Sequence, residues 1–429
     1  MHATIKKSPD RLNLLYLVAM ALPFVIYALI INHYAINIPY FDDFSVLLWP
    51  MNNIYSTGLH EVYVRQLFNQ NGGHIPLITR LVVLLEFKTL GEIDFRLAVL
   101  LGNAGWLLTT FMLITYFRKK LQLGWAYFVP VPFLMLTINH WEAMDFTTPA
   151  WQMYWGSSFF SVLCLLSIVE RRMTLAVYAF TAALFLSSGS LSLIPLTLGY
   201  CIIRKRWGDA LQFLIRIIAP LAVFFYFNPP ANSLTTLPGF PVMVKYVLGF
   251  MGNLVANGTW NLANIAWIQI PLGIVVIASG LYMLAKCTGN DLSKLLFVYV
   301  IILSGMALYL RSSIFPYTVS RYALYASLAV TAIYIAFAVQ ANRTAWKWFK
   351  PVATTCAILL WMHSIYICRA PMQYNRDSRI EAVKAYLHTD IDPDAFPALL
   401  WDFHFGKSVL LRSMELHIYD IYHGKTDEE

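Results

Sequence analysis

Charge is what this chain has least of. Only 13% of its 429 residues are Asp, Glu, Lys or Arg, about half the share of an average soluble domain. Hydrophobic residues make up 59% of the chain and the mean hydropathy is +0.58. These values exclude an ordinary soluble protein, and counting domains from length has no meaning here. Cysteine is also scarce. Cys164, Cys201, Cys287, Cys356 and Cys368 lie in or beside apolar segments without metal-ligand spacing, which argues against both a disulfide framework and a zinc site. There is no Walker loop, dinucleotide glycine fingerprint, nucleophile elbow, solenoid repeat or low-complexity run. The formal charge of +8 does not indicate nucleic acid, because the cations fall in short clusters between apolar runs, which is a topology signal.

What the chain has is a series of apolar segments. The first, 12–34, is long enough to cross a bilayer. It lacks a small-residue cleavage site and is expected to remain as a helix. Lys6, Lys7 and Arg11 precede it, which places the N-terminus in the cytoplasm. Further spans are expected at about 95–117, 125–138, 154–169, a tight hairpin ending before Arg204-Lys205-Arg206, 211–227, 262–285, 295–310, 322–339 and 352–367. The fold class is therefore an all-α polytopic membrane protein with about 11 transmembrane helices. The hairpin halves look short, which suggests tilted or re-entrant segments. The stretch 76–90 is apolar but short, and it carries Arg80, Glu86 and Lys88. It reads as a helix lying in the interface. Two units follow: a membrane module over 1–369, with a first external loop over 35–94, and an external C-terminal tail over 370–429. The loop 229–261 is rich in Gly, Pro and Asn. In the tail, 377–388 and 407–422 have helical spacing, and 390–397 reads as a Pro/Asp turn. The tail is too short for a large core of its own and is expected to pack over the external mouth of the bundle.

The polar groups of interest gather on the external side. Asp42-Asp43 stands between aromatics in Ile38-Pro39-Tyr40-Phe41-Asp42-Asp43-Phe44. Adjacent carboxylates raise at least one pKa, and burial raises it further, which is how a carboxylate becomes a base near neutral pH. Equally, either Asp could simply cap a helix starting at Ser45. The first loop adds His60, Glu61, Arg65 and the run Asn69-Gln70-Asn71-Gly72-Gly73-His74. The loop after the third span adds His140, Glu142 and Asp145, the last two spaced to share a helical face. Arg311 and Arg321 follow later. Arg65 and Arg311 are compatible with snorkelling to headgroups. Arg80 and Arg321 sit beside apolar runs, where a guanidinium needs an anion and its fork matches a phosphate; phosphate binding is favoured over the alternative, a structural ion pair. His74 and His140 with Glu142 and Asp145 make only a weak zinc signal, since no close His pair occurs. Trp141, Trp151 and Trp155 fit an interface belt or a sugar platform.

A cytoplasmic N-terminus, one span and an acidic pair in the first external loop resemble the GT-C superfamily of polyprenol-phosphate-sugar-dependent glycosyltransferases. The residues carrying the resemblance are Asp42-Asp43, Gly73-His74-Ile75-Pro76-Leu77-Ile78-Thr79-Arg80, Trp141-Glu142, Ser187-Ser188-Gly189-Ser190 leading to Pro195, and Ser320-Arg321-Tyr322. Length and an external C-terminus are also similar to bacterial serotype-converting O-antigen glucosyltransferases. The resemblance implies a hexosyltransferase of the bacterial inner membrane with a periplasmic active site, taking a sugar from undecaprenyl phosphate to a lipid-linked or polysaccharide acceptor such as O-antigen, in lipopolysaccharide modification. A separate donor synthase and flippase would supply the substrate. The acidic pair would be catalytic in one inverting displacement, with Asp42 mapping best to the base. His74, Arg80, Glu142, Asp145 and Arg321 would bind substrate. The family often has Asn-Glu-His-Arg where this chain has Asn71-Gly72-Gly73-His74, so a Glu expected there is absent. Some members bind a divalent cation and others do not; this sequence does not choose. The competing classes are a transporter or flippase, which would show inverted repeats and midplane charges, and a polysaccharide polymerase.

The cation clusters set an orientation that can be measured. Reporter fusions after Lys120, Arg172, Arg206 and Lys350 should read cytoplasmic, and fusions at Asn71, at Asn232 and at the C-terminus external. A cytoplasmic C-terminus would overturn the topology.

Overall fold

The computed structural model describes residues 10–229, 239–255, 266–287, 290–311, 319–344, 346–387 and 403–420. Lys6, Lys7, Asn232, the stretch 390–397, residues 230–238 and 256–261 of the loop 229–261, and the side chain of Arg311 lie outside the described residues. The described chain is helical. In order the helices are α1 (Asp10–Tyr34), α2 (Trp49–Thr57), α3 (His60–Leu67), α4 (Leu77–Leu90), α5 (Phe95–Leu121), α6 (Pro130–Met135) and α7 (Trp141–Met144). Then come α8 (Thr147–Val169), α9 (Met173–Leu184), α10 (Leu193–Ile203), α11 (Trp207–Phe227), α12 (Phe240–Met251), α13 (Ala266–Lys286), α14 (Asp291–Arg311), α15 (Ala323–Arg343), α16 (Phe349–Leu387) and α17 (Phe403–Glu415). Eight segments among the described residues are long and apolar enough to cross a membrane: those of α1, α5, α8, α11, α13, α14, α15 and α16. The chain is a multi-pass helical membrane protein.

Three of the expected spans, the third, fifth and sixth, fall on shorter apolar helices: Trp125–Met135, Met173–Leu184 and Ser188–Ile203. Twelve residues of α9 rise only about 18 Å. The turn after α9 therefore ends inside the bundle, below the level of the loops. Two other expectations need correction. The loop 229–261 contains α12, which starts with Pro241 in its first turn behind Gly239. Proline there is pre-organised for a helix start, so its presence is no sign of a loop. The last span and the tail helix at 377–388 are one 39-residue helix, α16. Pro371 removes one N–H but does not break it, because the extension is held from outside.

That hold is a buried ion pair. Arg379 Nη2 lies 2.5 Å from Asp145 Oδ1, and both side chains are almost wholly buried, at 1% and 0% exposed. Asn375 Nδ2 donates to the second oxygen of Asp145, Arg379 Nη1 to its main-chain carbonyl at 3.2 Å, and the guanidinium covers the Tyr40 ring at 5.1 Å. Around this clamp the first loop, the end of α16 and α17 share an apolar core that includes Phe44, Leu47, Val83, Phe95, Val383 and Val409. Asn52 Nδ2 donates to the Val409 carbonyl at 2.8 Å, and Tyr419 Oη to the Asn37 carbonyl at 2.8 Å. The tail thus forms one layer with the loop at that end of the bundle. Beneath it, α5 and α8 pack closely where Gly105 leaves room for the Tyr154 backbone and the Trp155 ring.

Removing one partner from a buried ion pair strands the other as an unpaired charge. Arg379→Leu should cost about 3–5 kcal/mol of stability, and adding Asp145→Leu should recover most of it. Thermal denaturation of the purified single and double variants measures both.

Candidate functional site

A cavity of about 410 Å³ opens between the loop layer and the bundle. Its polar wall comes from Asp42, Asn71, Gly72, His74, Glu142, Ser187, Ser188 and Arg321. Its apolar wall comes from Met153 on α8, Leu303, Met306 and Ala307 on α14, and Tyr325 on α15. The short helix α9 is the reason Ser187 and Ser188 reach this depth.

The acidic pair is divided by its backbone. Phe41 has φ 42°, a left-handed conformation that costs a non-glycine residue about 1 kcal/mol or more. The tight turn is closed by Asp43 N–H donating to the Tyr40 carbonyl at 3.0 Å. Asp42 emerges on the cavity wall. Asp43 turns inward and is 1% exposed. Its Oδ1 accepts from Thr148 N–H at 2.9 Å and Thr148 Oγ1 at 2.7 Å, and its Oδ2 from Tyr40 N–H at 3.3 Å. Thr148 stands in the first turn of α8, so Asp43 caps a helix, though not the one at Ser45 that the sequence suggested. Burial pushes the Asp43 carboxyl up to about 6; the bonds from Thr148 and Tyr40 oppose that rise, and Asp42 adds to it.

Asn71-Gly72-Gly73-His74 is a tight hairpin turn. Asn71 and His74 exchange backbone hydrogen bonds of 2.8 and 2.9 Å, and Gly72 and Gly73 have φ 54° and 81°. Two consecutive positive φ values select glycine. A glutamate at either glycine position, as in the family pattern, would be strained there. The turn presents His74, whose Nδ1 accepts from the Ser188 N–H at 3.0 Å. The proton of the neutral ring therefore sits on Nε2.

Arg321 and Glu142 complete the polar wall. The Arg321 N–H donates to Glu142 Oε2 at 3.3 Å, and the Glu142 N–H to Ser320 Oγ at 3.4 Å. Arg321 Nε is buried without a partner, and so is the Trp141 indole N–H, on a residue that also lines the cavity. Two unmet donors in one wall suit an acceptor-rich ligand.

Of the seven residues given a catalytic or substrate-binding role from sequence, Asp42, His74, Glu142 and Arg321 meet in this cavity, and three do not. Asp43 anchors α8. Asp145 holds α16; it closes the single turn of α7 and is not among the residues lining the cavity. Arg80 is 2% exposed and serves the first loop: Nε donates to the Val46 carbonyl at 2.8 Å, and Nη1 to the carbonyls of Leu67 at 3.0 Å and Asn69 at 2.5 Å. Burial lowers its pKa to about 10, and its ligands are carbonyl oxygens. His140 is buried against Tyr154, Nδ1 to Oη 2.7 Å, and burial pushes it down to about 3. Trp151 and Trp155 donate to carbonyls of α5 at 3.0 and 2.9 Å. Arg65 is exposed on α3. Among the described residues no group of three or more His, Cys, Asp or Glu could hold a metal ion. Sequence reasoning passed over Gln152 on the wall, although a glutamine inside an apolar helix is itself a signal. No protein-family model, curated protein or solved structure matches the chain.

The raised pKa of Asp43 has a stability consequence. The native state holds its proton more tightly than the unfolded chain does. The associated stability is complete below the unfolded value of about 3.8 and is lost as pH rises through about 6, an amount on the order of 3 kcal/mol. Asp43→Asn should remove this pH 4–6 component from the melting profile. An unchanged profile would mean that another group carries it.

Proposed function

We propose that this chain is a membrane glycosyltransferase that moves a sugar from a polyprenyl-phosphate donor to a hydroxyl acceptor. The observation that carries the reading is that Asp42 and Arg321 line one cavity whose other wall is apolar. A base and a phosphate-matching cation then share a space with room for a lipid-linked substrate. In this reading the three short helices also cross, making eleven spans, and the cavity faces the periplasm from a bacterial inner membrane; the cation clusters between the apolar segments support that orientation.

In this mechanism the acceptor hydroxyl oxygen bonds to the anomeric carbon. The bond from that carbon to the phosphate oxygen breaks, and configuration inverts. The hydroxyl proton passes to the Asp42 carboxylate. The leaving group is a phosphate monoester of the lipid, so it needs cationic stabilisation more than a proton. Arg321 supplies that charge; its Nε, buried without a partner, supplies a donor. Glu142, which accepts from the Arg321 backbone, fixes the segment that carries the guanidinium. His74 lines the same cavity, beside the space for sugar and phosphate oxygens. Asp43 acts through position only: it holds α8 against the turn that presents Asp42. Arg80 and Asp145 support the loop layer. The acceptor class that fits is a lipid-linked or polymeric glycan such as O-antigen, met at the loop surface.

Sugar transfer by purified variants tests the assignment. Asp42→Asn should lower turnover per folded molecule by at least about a hundredfold, the scale of general-base catalysis. Arg321→Ala should do likewise, with little recovery in Arg321→Lys, because a point charge does not reproduce the fork. Full turnover in both Asp42→Asn and Arg321→Ala would refute the mechanism.

A further inference from the structure

An open surface groove lies at the opposite end of α8 from the candidate site, against the turn that joins α8 to α9. It is lined by Arg171, Arg172, Thr174, Tyr178 and Gln212, among others, and measures about 510 Å³. Arg216, on α11, points its guanidinium to the same place, donating from Nη1 to Thr174 Oγ1 at 2.8 Å. Three arginines thus converge where α9 and α11 pack together.

The neighbouring hairpin provides an internal comparison. The turn between α10 and α11 repeats the α8–α9 turn bond for bond. Arg171 N–H donates to the Ile168 carbonyl at 3.2 Å and Arg172 N–H to that of Ser167 at 2.7 Å. Lys205 N–H donates to the Ile202 carbonyl at 2.9 Å and Arg206 N–H to that of Cys201 at 2.7 Å. Arg171 and Lys205 have φ 60° and 55°. In both turns a cation occupies a left-handed position where glycine is the default, so both turns retain a charged side chain against backbone preference.

The two turns differ in how that charge is met. After Arg206 the third residue is Asp209, whose carboxylate pairs with Arg206 at 2.6 Å. Arg204 likewise has Asp291. After Arg172 the third residue is Leu175. Glu170, the nearest acid in sequence, is engaged by Lys120 at 2.9 Å and by Tyr116 Oη at 2.9 Å. Among the described residues no carboxylate lies within salt-bridge distance of Arg171, Arg172 or Arg216. Cations at the start of α9 are also unfavourable beside the positive end of its helix dipole. The α8–α9 turn carries Glu170 where its sibling has Arg204. Glu170 acts on Arg172 through space but bonds Lys120 and Tyr116, so no carboxylate closes on Arg172 as Asp209 does on Arg206.

We propose that this groove binds the phosphodiester headgroup of an anionic phospholipid from the leaflet opposite the candidate site. The surface running away from it along the outside of the bundle is apolar and exposed: Tyr178 is 69% and Leu175 36% exposed on α9, with Leu211, Leu214, Ile215 and Ile218 on α11. Acyl chains fit that surface, and a small inorganic ion would leave it unused. Arginine forks at the headgroup suit a phosphate better than a zwitterionic pair, whose own ammonium would sit among three guanidinium groups.

The test uses the full chain in nanodiscs of phosphatidylcholine with and without phosphatidylglycerol, read by native mass spectrometry and by melting temperature. Wild type should retain phosphatidylglycerol and melt higher in its presence. Arg171→Gly suits the left-handed backbone, so it should fold and melt at or above wild type in phosphatidylcholine alone. Combined with Arg216→Gln, it should weaken phosphatidylglycerol binding by at least about tenfold and abolish the melting shift. Wild-type retention in the double variant would overturn the proposal. So would an equal melting shift from millimolar inorganic phosphate, which would make the groove a small-anion site.

Discussion

The bond between Asp43 and Thr148 is the constraint on which the rest depends. It joins the first loop to the start of α8 and fixes both at once. A buried carboxylate satisfied by two backbone N–H groups and a hydroxyl is expensive to rearrange. The turn from Tyr40 to Asp43 is therefore rigid, and the left-handed Phe41 is held within it. Because Asp43 points into the protein, Asp42 points out of it. The two acids differ in role because a single bend in the chain separates them.

The cavity depends equally on incomplete helices. A bundle built only of full spans would be filled by side chains at this depth. Here α9 stops short, and the Ser187-Ser188-Gly189 turn fills the gap with small polar groups. The loop layer then closes the space from above, and two buried arginines hold that layer. Arg80 gathers carbonyls from three points of the first loop, and Arg379 ties Asp145 to the long α16. Each satisfies groups that would otherwise be stranded in apolar surroundings. The rim of the cavity is therefore preorganised, and Arg321 is left with donors for a ligand.

The legible parts of this molecule were those where composition alone is informative. Eight long helices announced themselves as apolar runs, and the short hairpin was visible as short. Asp42, His74, Glu142 and Arg321 stood out because ionisable groups are rare in such a chain. Direction was not legible. Asp42 and Asp43 are chemically identical in sequence, and only the φ of Phe41 separates them. Arg80 looked like a phosphate ligand because its partners are backbone carbonyls, which every sequence contains. Asp145 looked like a neighbour of Glu142, yet its partner lies more than two hundred residues away on α16. Glycine and proline misled at α12, where proline starts a helix, and the separate last span and tail helix proved to be one helix running through Pro371.

The central claim is that the lipid phosphate and the reacting hydroxyl meet between Arg321 and Asp42. The most direct measurement is an experimental structure of the purified protein with a polyprenyl phosphonate sugar, a donor analogue whose carbon–phosphorus bond cannot be cleaved by transfer. The account predicts the phosphonate within hydrogen-bond reach of Arg321, the anomeric carbon facing the Asp42 carboxylate, and the lipid chain along Leu303, Met306 and Ala307. An analogue bound elsewhere, or a sugar turned away from Asp42 with the phosphonate clear of Arg321, would contradict it.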